Sequence, residues 1–152
     1  LKKVGSKIKL FKNSIHIKGP KKIKSIRNIT TKEYDGFPTD LAPQFMVLLC
    51  KANGTSSITE NIFQGRFLHA MELQRLGAKI TIKNRTAKIE GNKNFIAAEV
   101  MSSDLRASAA LVLAGIVSKG NTIVTRVYHC DRGYENFENK LKKIGVKIKR
   151  LK

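Results

Sequence analysis

The feature that most constrains the fold is a short motif that occurs three times in the chain. Residues 1–8, 73–80 and 141–148 each run from apolar residues at helical spacing through a glycine into an alternating segment. A glycine in the left-handed conformation commonly ends a helix, and alternation is typical of a half-buried strand. We therefore predict repeats of one unit, in which a helix ends, a glycine caps it and a strand begins.

The alternating segments are predicted to form hairpins, which turn at Asn13 and at the pair Asn84 and Arg85. The first two copies stay aligned at an offset of 72 residues as far as Gly19 and Gly91. A second motif begins at Asp40 and again at Asp104, an offset of 64 residues, and predicts helices over 40–49 and 104–113. An aspartate at each start is a good N-cap. Both segments are apolar on nearly every face, which predicts buried helices.

Shorter elements complete the repeat unit. The pattern predicts strands over 56–62, 95–101 and 122–128, and further helices over 67–76 and 134–144. Buried helices that are covered by strands with lysine-rich outer faces would form a two-layer α/β arrangement.

The charge of the chain suggests one function class, which the composition then weakens. The 152 residues carry a formal charge of +19, a balance typical of nucleic-acid binding. However, 22 of the 30 basic residues are lysines, aromatic residues make up 7%, and tryptophan is absent, so base-stacking side chains are scarce. A basic nucleic-acid-binding module and a structural fragment without a ligand stay as alternatives.

Hydropathy and cysteine usage indicate a cytoplasmic protein. The longest apolar run, around residues 111–117, is far shorter than the roughly 20 residues that span a membrane. Cys50 and Cys130 have no paired spacing, which argues against a disulfide framework or a zinc site and favours a reducing compartment.

Five charged residues fall at predicted helix entrances, namely Asp40, Arg66, Asp104, Arg106 and Arg132. Helix capping explains the aspartates, and surface ion pairs would explain any single arginine. A cation beside the positive end of a helix is unfavourable unless an anion lies between them. Three arginines at such places therefore predict a site for a phosphate or carboxylate.

Four segments also carry a resemblance to a known family. They are Gly-Phe-Pro-Thr-Asp at 36–40, Ile-Thr-Glu-Asn-Ile-Phe-Gln-Gly-Arg-Phe-Leu-His at 58–69, Asp-Leu-Arg-Ala-Ser-Ala at 104–109 and Tyr-His-Cys-Asp-Arg-Gly-Tyr-Glu at 128–135. In order and spacing the chain closely resembles the C-terminal third of the UDP-N-acetylglucosamine 1-carboxyvinyltransferases, a family of enolpyruvyl transferases. The resemblance implies an inside-out α/β barrel with buried helices and outer strands, of which residues 1–152 would be an incomplete domain of about two repeats.

The resemblance also implies a reaction. The family transfers the enolpyruvyl group of phosphoenolpyruvate to the 3-hydroxyl of UDP-N-acetylglucosamine, the first committed step of peptidoglycan synthesis, without a metal or another cofactor. Asp40 matches the residue that binds the sugar hydroxyl and is a proposed general base, and Ile62 matches a contact to the UDP-sugar. The remaining matches line the phosphoenolpyruvate side, and they are Arg66, Asp104, Arg106 and Arg132. The resemblance makes Arg132, like Asp40, a catalytic candidate.

The resemblance has one substitution and one gap. Gly65 stands where the family motif has asparagine. The family's Lys-Asn pair and its mobile loop with a reactive Cys and an Arg belong to the N-terminal part, and neither Cys50 nor Cys130 matches that Cys. We therefore expect the isolated chain to need the rest of the same protein as its partner, to bind substrate weakly and to turn over nothing.

Overall fold

Two apolar helices lie at the centre of the computed structural model, which describes residues 1–92 and 94–151. In chain order the elements are β1 (Lys7–Leu10), β2 (Ile15–Lys18), β3 (Ile29–Thr30), α1 (Ala42–Cys50), β4 (Thr55–Thr59), α2 (Leu68–Arg75), β5 (Lys79–Lys83), β6 (Thr86–Glu90), β7 (Glu99–Met101), α3 (Leu105–Ile116), β8 (Ile123–Thr125), α4 (Tyr128–Asp131) and α5 (Phe137–Lys143). Single 3₁₀ turns cover Lys2–Val4 and Thr39–Leu41.

The central helices are buried as the sequence predicts. No residue of α1 is exposed, and Met46 and Leu49 have no accessible surface. Helix α3 packs against α1 and buries the small residues Ala110 and Ala114, which allow close approach. Burial on all sides removes about 1.5–3 kcal/mol of unfavourable hydration for each large apolar side chain.

The strands cover this helical layer. A four-stranded sheet has the order β3-β4-β6-β5, in which β4 is parallel to β3 and antiparallel to β6. Ala87 and Ile89 of β6 are buried, while the alternate residue Lys88 is exposed. The period of two therefore separates an inner apolar face from an outer basic face, and the prediction of buried helices with outer strands is confirmed.

The three copies of the glycine motif share one geometry. Gly5, Gly77 and Gly145 have φ angles of 103°, 91° and 92°, and each donates its N–H to the carbonyl three residues earlier at 2.9 Å. The first two glycines lead into the hairpins β1–β2 and β5–β6. After the third, residues 147–151 form no strand ladder with any described part of the chain.

Several predicted boundaries are wrong, each for a local reason. Helix α1 begins at Ala42 because a 3₁₀ turn occupies Thr39–Leu41, so Asp40 does not cap it. Strand β8 ends at Thr125 because Arg126 adopts a left-handed φ of 54°, after which α4 follows. Helix α5 begins at Phe137 because Asn136 has a φ of 48°. In the described chain, no helix combines the length and apolarity needed to cross a membrane.

Candidate functional site

A cluster of opposite charges forms where three helices begin. Asp40 lies in the turn before α1, Arg66 lies two residues before α2, and Arg106 is the second residue of α3. Arg66 Nη1 donates to Asp40 Oδ1 at 3.1 Å, and Arg106 Nε donates to the same oxygen. The fold thus brings three of the predicted site residues together from positions up to 66 residues apart.

Asp40, Arg66 and Arg106 together carry one net positive charge, and the negative charge of Asp104 also acts on Arg106. The hydrogen bond and charge of Arg106, together with the charge of Arg66, hold the pKa of Asp40 below its ordinary value, although burial opposes the shift. The same hydrogen bond raises the pKa of Arg106. The Asp40 side chain is 60% exposed, so the cluster faces solvent. Two guanidinium groups against one carboxylate keep unused N–H donors for a further anion.

Asp104 holds the start of α3, as predicted. Its Oδ1 accepts the backbone N–H groups of Arg106 at 2.8 Å and Ala107 at 3.1 Å, and Ser103 Oγ donates to Oδ2 at 3.0 Å. Burial would raise the pKa of Asp104, but these hydrogen bonds outweigh it and lower the pKa. Asp104 therefore caps the helix and fixes the backbone from which the Arg106 side chain reaches Asp40.

The loop that carries Ile62 is organised by a residue that sequence reasoning misses. Glu60 is 2% exposed and accepts four hydrogen bonds, from the hydroxyls of Thr31 and Thr39 at 2.6 Å each and from the N–H groups of Ile62 at 2.8 Å and Phe63 at 3.1 Å. Burial favours a higher pKa, but these donors hold the pKa of Glu60 below its ordinary value. Glu60 is thus a buried, ionised anchor for the half-buried Ile62.

Thr39 connects this anchor to the charged cluster. Its hydroxyl donates to Glu60 and accepts from Arg66 Nη1 at 3.1 Å, and it directly precedes Asp40. The sequence does contain a signal for Glu60, because it is the first charged residue after an uncharged strand and lies within the family motif at 58–69. That signal does not reveal the contact with Thr39, which is 21 residues away.

Arg132 differs from its predicted place. It directly follows the last residue of α4 and so lies at a helix end, where the sequence predicted a helix entrance. Its side chain is exposed and forms no hydrogen bond or ion pair with any residue that the structure describes. The physical reason is that the chain turns sharply after β8 and forms the extra helix α4 before Arg132.

The backbone beside Arg132 nevertheless lies at the start of α3. The neighbouring Gly133 packs so closely on Leu105 that a Cβ atom there would lie 2.9 Å from Leu105 Cδ2. The hydroxyl of Tyr134 accepts a bond of 3.4 Å from Gln44 Nε2 on α1. Arg132 therefore projects from a segment that borders the entrances of both central helices.

Other side chains offer less chemistry. Among the described residues, no group of three His, Cys, Asp or Glu side chains is arranged to hold a metal ion. Cys50 is fully buried, and burial raises its pKa to about 12, so it behaves as the small apolar residue that the sequence predicts.

Both the sequence and the fold of the chain match those of known proteins. The model of the EPSP synthase (3-phosphoshikimate 1-carboxyvinyltransferase) family matches residues 1–141. The chain belongs to this family. The enolpyruvyl transferase NikO from Streptomyces tendae has the same fold, with a TM-score of 0.89 at 24% identity over 97% of the chain and 34% of NikO. EPSP synthase from Acinetobacter baumannii matches with a TM-score of 0.69 at 19% identity over 99% of the chain and 35% of that enzyme.

The sequence relatives within the family carry a more specific name. UDP-N-acetylglucosamine 1-carboxyvinyltransferases from Pelagibacter ubique and Endomicrobium trichonymphae are 61% and 53% identical over 99% and 98% of the chain, and the Helicobacter pylori protein is 50% identical over 98%. The chain spans only 35–36% of these relatives. The predicted resemblance and the incomplete α/β fold of the enolpyruvyl transferase type are both confirmed.

Proposed function

We propose that this member of the EPSP synthase family contributes part of a cytoplasmic enzyme that transfers the enolpyruvyl group of phosphoenolpyruvate to the 3-hydroxyl of UDP-N-acetylglucosamine for peptidoglycan synthesis. In this proposal residues 1–152 are the C-terminal part of one domain, with about two repeats. The observation that carries it is the convergence of Arg66 and Arg106 on Asp40. The names of the relatives supply the substrates.

Phosphoenolpyruvate suits the positive side of the cluster. Its carboxylate and phosphate would take the guanidinium donors of Arg66 and Arg106, and Arg132, which pairs with none of the described residues, would supply a third. Asp104 supports the same site because it caps the start of α3, from which Arg106 projects. Fixed cations of this kind stabilise the negative charge that develops when the hydroxyl adds and phosphate leaves, because they require no reorganisation during the reaction.

Asp40 would act on the sugar hydroxyl, and Ile62 would contact the UDP-sugar. In the present state the two arginines lower the pKa of Asp40 and make it a weak base. A substrate anion that competes for the same donors would weaken these ion pairs and restore basicity. A base in hydrogen-bond reach of the hydroxyl contributes about 10²–10⁴-fold to the rate.

The proposal is tested by titrating the chain with UDP-N-acetylglucosamine and with phosphoenolpyruvate, followed by backbone NMR. Shifts are expected to cluster at Asp40, Ile62 and Arg132. Arg106→Ala should weaken phosphoenolpyruvate binding about 10- to 100-fold, because a charge-assisted hydrogen bond contributes about 1.5–3 kcal/mol. Arg75→Ala is the matched control, since Arg75 pairs only with Glu72 among the described residues.

Two outcomes would contradict the proposal. Chemical-shift changes that are scattered over the chain, or that persist unchanged in Arg106→Ala, would show that the charged cluster is not an anion site. Binding of RNA that weakens steeply with salt, without any response to the sugar nucleotide, would favour the basic nucleic-acid-binding alternative. Phosphate release by the purified 152-residue chain would contradict our expectation that it is inactive alone.

A further inference from the structure

The guanidinium group of Arg66 has two edges with different surroundings. Its Nη1 atom donates to Thr39 Oγ1 and to Asp40 Oδ1, at 3.1 Å in each case, which uses both protons of that nitrogen. Its Nε and Nη2 atoms donate to no residue that the structure describes. Their N–H groups form the fork that matches a carboxylate or a phosphate. One edge of Arg66 is therefore held by the protein, and the other edge is open to a ligand.

An aromatic ring holds the face of the same group. The Cζ atom of Arg66 lies 3.8 Å from the centroid of the Phe63 ring, which is a cation–π distance. Phe63 is 47% exposed, so this ring borders the cluster and is not a core residue. Hydrogen bonds in its plane and a ring against one face together define the orientation of the guanidinium. A group that is ordered before the ligand arrives loses less entropy when it binds.

One buried carboxylate holds both of these contacts. Glu60 Oε2 accepts the Thr39 hydroxyl at 2.6 Å, and Glu60 Oε1 accepts the Phe63 N–H at 3.1 Å. An ionised carboxylate can only accept hydrogen bonds, so the Thr39 proton points at Glu60 and a lone pair of the hydroxyl faces Arg66. The charge of Glu60 thus sets the direction of the hydrogen bond between Thr39 and Arg66.

The ion pair with Asp40 would not fix this orientation by itself. The Asp40 side chain is 60% exposed, and the oxygen that binds Arg66 also binds Arg106. A single exposed ion pair contributes little and does not hold two long side chains in one geometry. Thr39 is half-buried and is itself anchored, so it is the stronger constraint on Arg66.

We propose that Thr39 and Phe63 are positioning residues that hold the Arg66 guanidinium in one orientation, with its Nε and Nη2 atoms towards the anion. Glu60 fixes both of them. The identity of the anion, phosphoenolpyruvate, rests on the proposed function, but the orientation of Arg66 does not. Because Glu60 also binds the N–H of Ile62, one buried charge connects the proposed phosphoenolpyruvate side of the site with the proposed UDP-sugar contact.

The test compares Thr39→Val, which removes the hydroxyl and keeps the branched shape, with Thr39→Ser, which keeps the hydroxyl. Thr86→Val is the matched control, because Thr86 is also half-buried and its hydroxyl bonds only to that of Thr59 among the described residues. Rotation about the Nε–Cζ bond of Arg66 is measured by NMR of the guanidinium nitrogens in each chain. Phosphoenolpyruvate and UDP-N-acetylglucosamine are then titrated separately.

The rotation of the Arg66 guanidinium is expected to be about 3- to 10-fold faster in Thr39→Val, because one hydrogen bond is lost. Affinity for phosphoenolpyruvate should fall by about the same factor. Thr39→Ser and Thr86→Val should match the unsubstituted chain in both measurements. The response of Ile62 to UDP-N-acetylglucosamine should persist in Thr39→Val, because the bond of Ile62 to Glu60 Oε1 does not involve the Thr39 hydroxyl.

A second variant keeps the test decisive if Thr39→Val does not fold. Phe63→Leu changes a side chain that is half in water and removes the ring from the Arg66 guanidinium. It should speed the rotation of Arg66 by about 2- to 5-fold, because a cation–π contact is lost. Unchanged rotation in Phe63→Leu would overturn the proposal.

Further outcomes separate the positioning from the proposed function. Rotation of Arg66 that is as fast as that of the exposed Arg75, or that Thr39→Val leaves unchanged, would overturn the positioning. Equal effects of Thr39→Val and Thr39→Ser, or of Thr39→Val and Thr86→Val, would overturn it too, because the Thr39 hydroxyl would not be the cause. Faster rotation in Thr39→Val, without phosphoenolpyruvate binding to any of the chains, would support the positioning and refute the proposed function.

Discussion

The hairpins β1–β2 and β5–β6 have the same pattern and opposite environments. In the first, Ile8 pairs with Ile17, and in the second Ile80 pairs with Ile89 in the equivalent register. Ile17 is nevertheless 52% exposed, whereas Ile89 has no accessible surface. Alternation and a tight turn are thus enough to set the register of a hairpin, but not to bury it.

The second hairpin is buried because two neighbours cover it. Strand β6 pairs with β4 along its other edge and packs over α1. Strand β2 has no second strand beside it in the described chain. The comparison indicates that each repeat is completed by its neighbours, since one unit cannot bury its own apolar face.

The largest difference is expected from truncating equivalent isoleucines. Ile89→Ala should lower the free energy of unfolding by about 3–4 kcal/mol, because it removes buried contacts and leaves a cavity. Ile17→Ala should cost less than about 0.5 kcal/mol because its side chain is half in water. Urea unfolding of both variants measures the difference, and equal losses would show that the first hairpin is buried in solution.

The glycines that end the two hairpins should differ nearly as much. A Cβ atom on Gly91 would lie 2.0 Å from the carbonyl oxygen of Ala52, whereas one on Gly19 meets nothing within 4 Å. Gly91→Ala should therefore cost about 2–3 kcal/mol through overpacking against rigid backbone, and Gly19→Ala should be nearly neutral. Thermal unfolding tests this, and a destabilising Gly19→Ala would contradict the open geometry of the first hairpin.

His69 and His16, two of the three histidines of the chain, differ in burial, because His69 is buried and His16 is exposed. Burial lowers the pKa of His69, in α2, to about 4, and the charge of Asp104 opposes this shift only in part. Because the unfolded state binds the proton more readily between about pH 6.5 and 4, stability should fall as the pH drops through this window. The loss is about 2 kcal/mol at pH 5 relative to pH 7.

This pH dependence is measured by urea unfolding from pH 7 to pH 5. His69→Gln should flatten the slope, whereas His16→Gln, at an exposed position of β2, should leave it unchanged. An unchanged slope in His69→Gln would show that another group controls the acid response.

The smallest effect concerns the charges that face each other across the hairpins. Lys79 lies opposite Glu90, but the equivalent pair in the first hairpin is Lys7 and Lys18. Lys18→Glu should stabilise the chain by about 0.5 kcal/mol, and Glu90→Lys should destabilise it by a similar amount. Both effects should shrink in about 1 M salt because exposed charges are screened. Changes of the same sign would refute the cross-strand pairing.

The sequence predicts which residues belong to the site, but it does not predict most of the contacts between them. The cap formed by Asp104 is local, since its partners are two and three residues away, and local spacing predicts it. The contacts of Asp40 with Arg66 and Arg106 span 26 and 66 residues, and no spacing rule encodes them. Arg132 was misplaced because the left-handed turn at Arg126 and the short helix α4 have no strong sequence pattern.

The sequence alone determined the repeated motif, the glycine-capped helix ends, the hairpin registers and the apolar helices. Each of these depends on residues that lie close together along the chain. Only the tertiary structure decided which hairpin is buried, which aspartate caps and which binds arginine, and that Glu60 anchors the Ile62 loop. These outcomes depend on which surfaces meet across the fold, and contacts between distant segments leave no periodic trace in the chain.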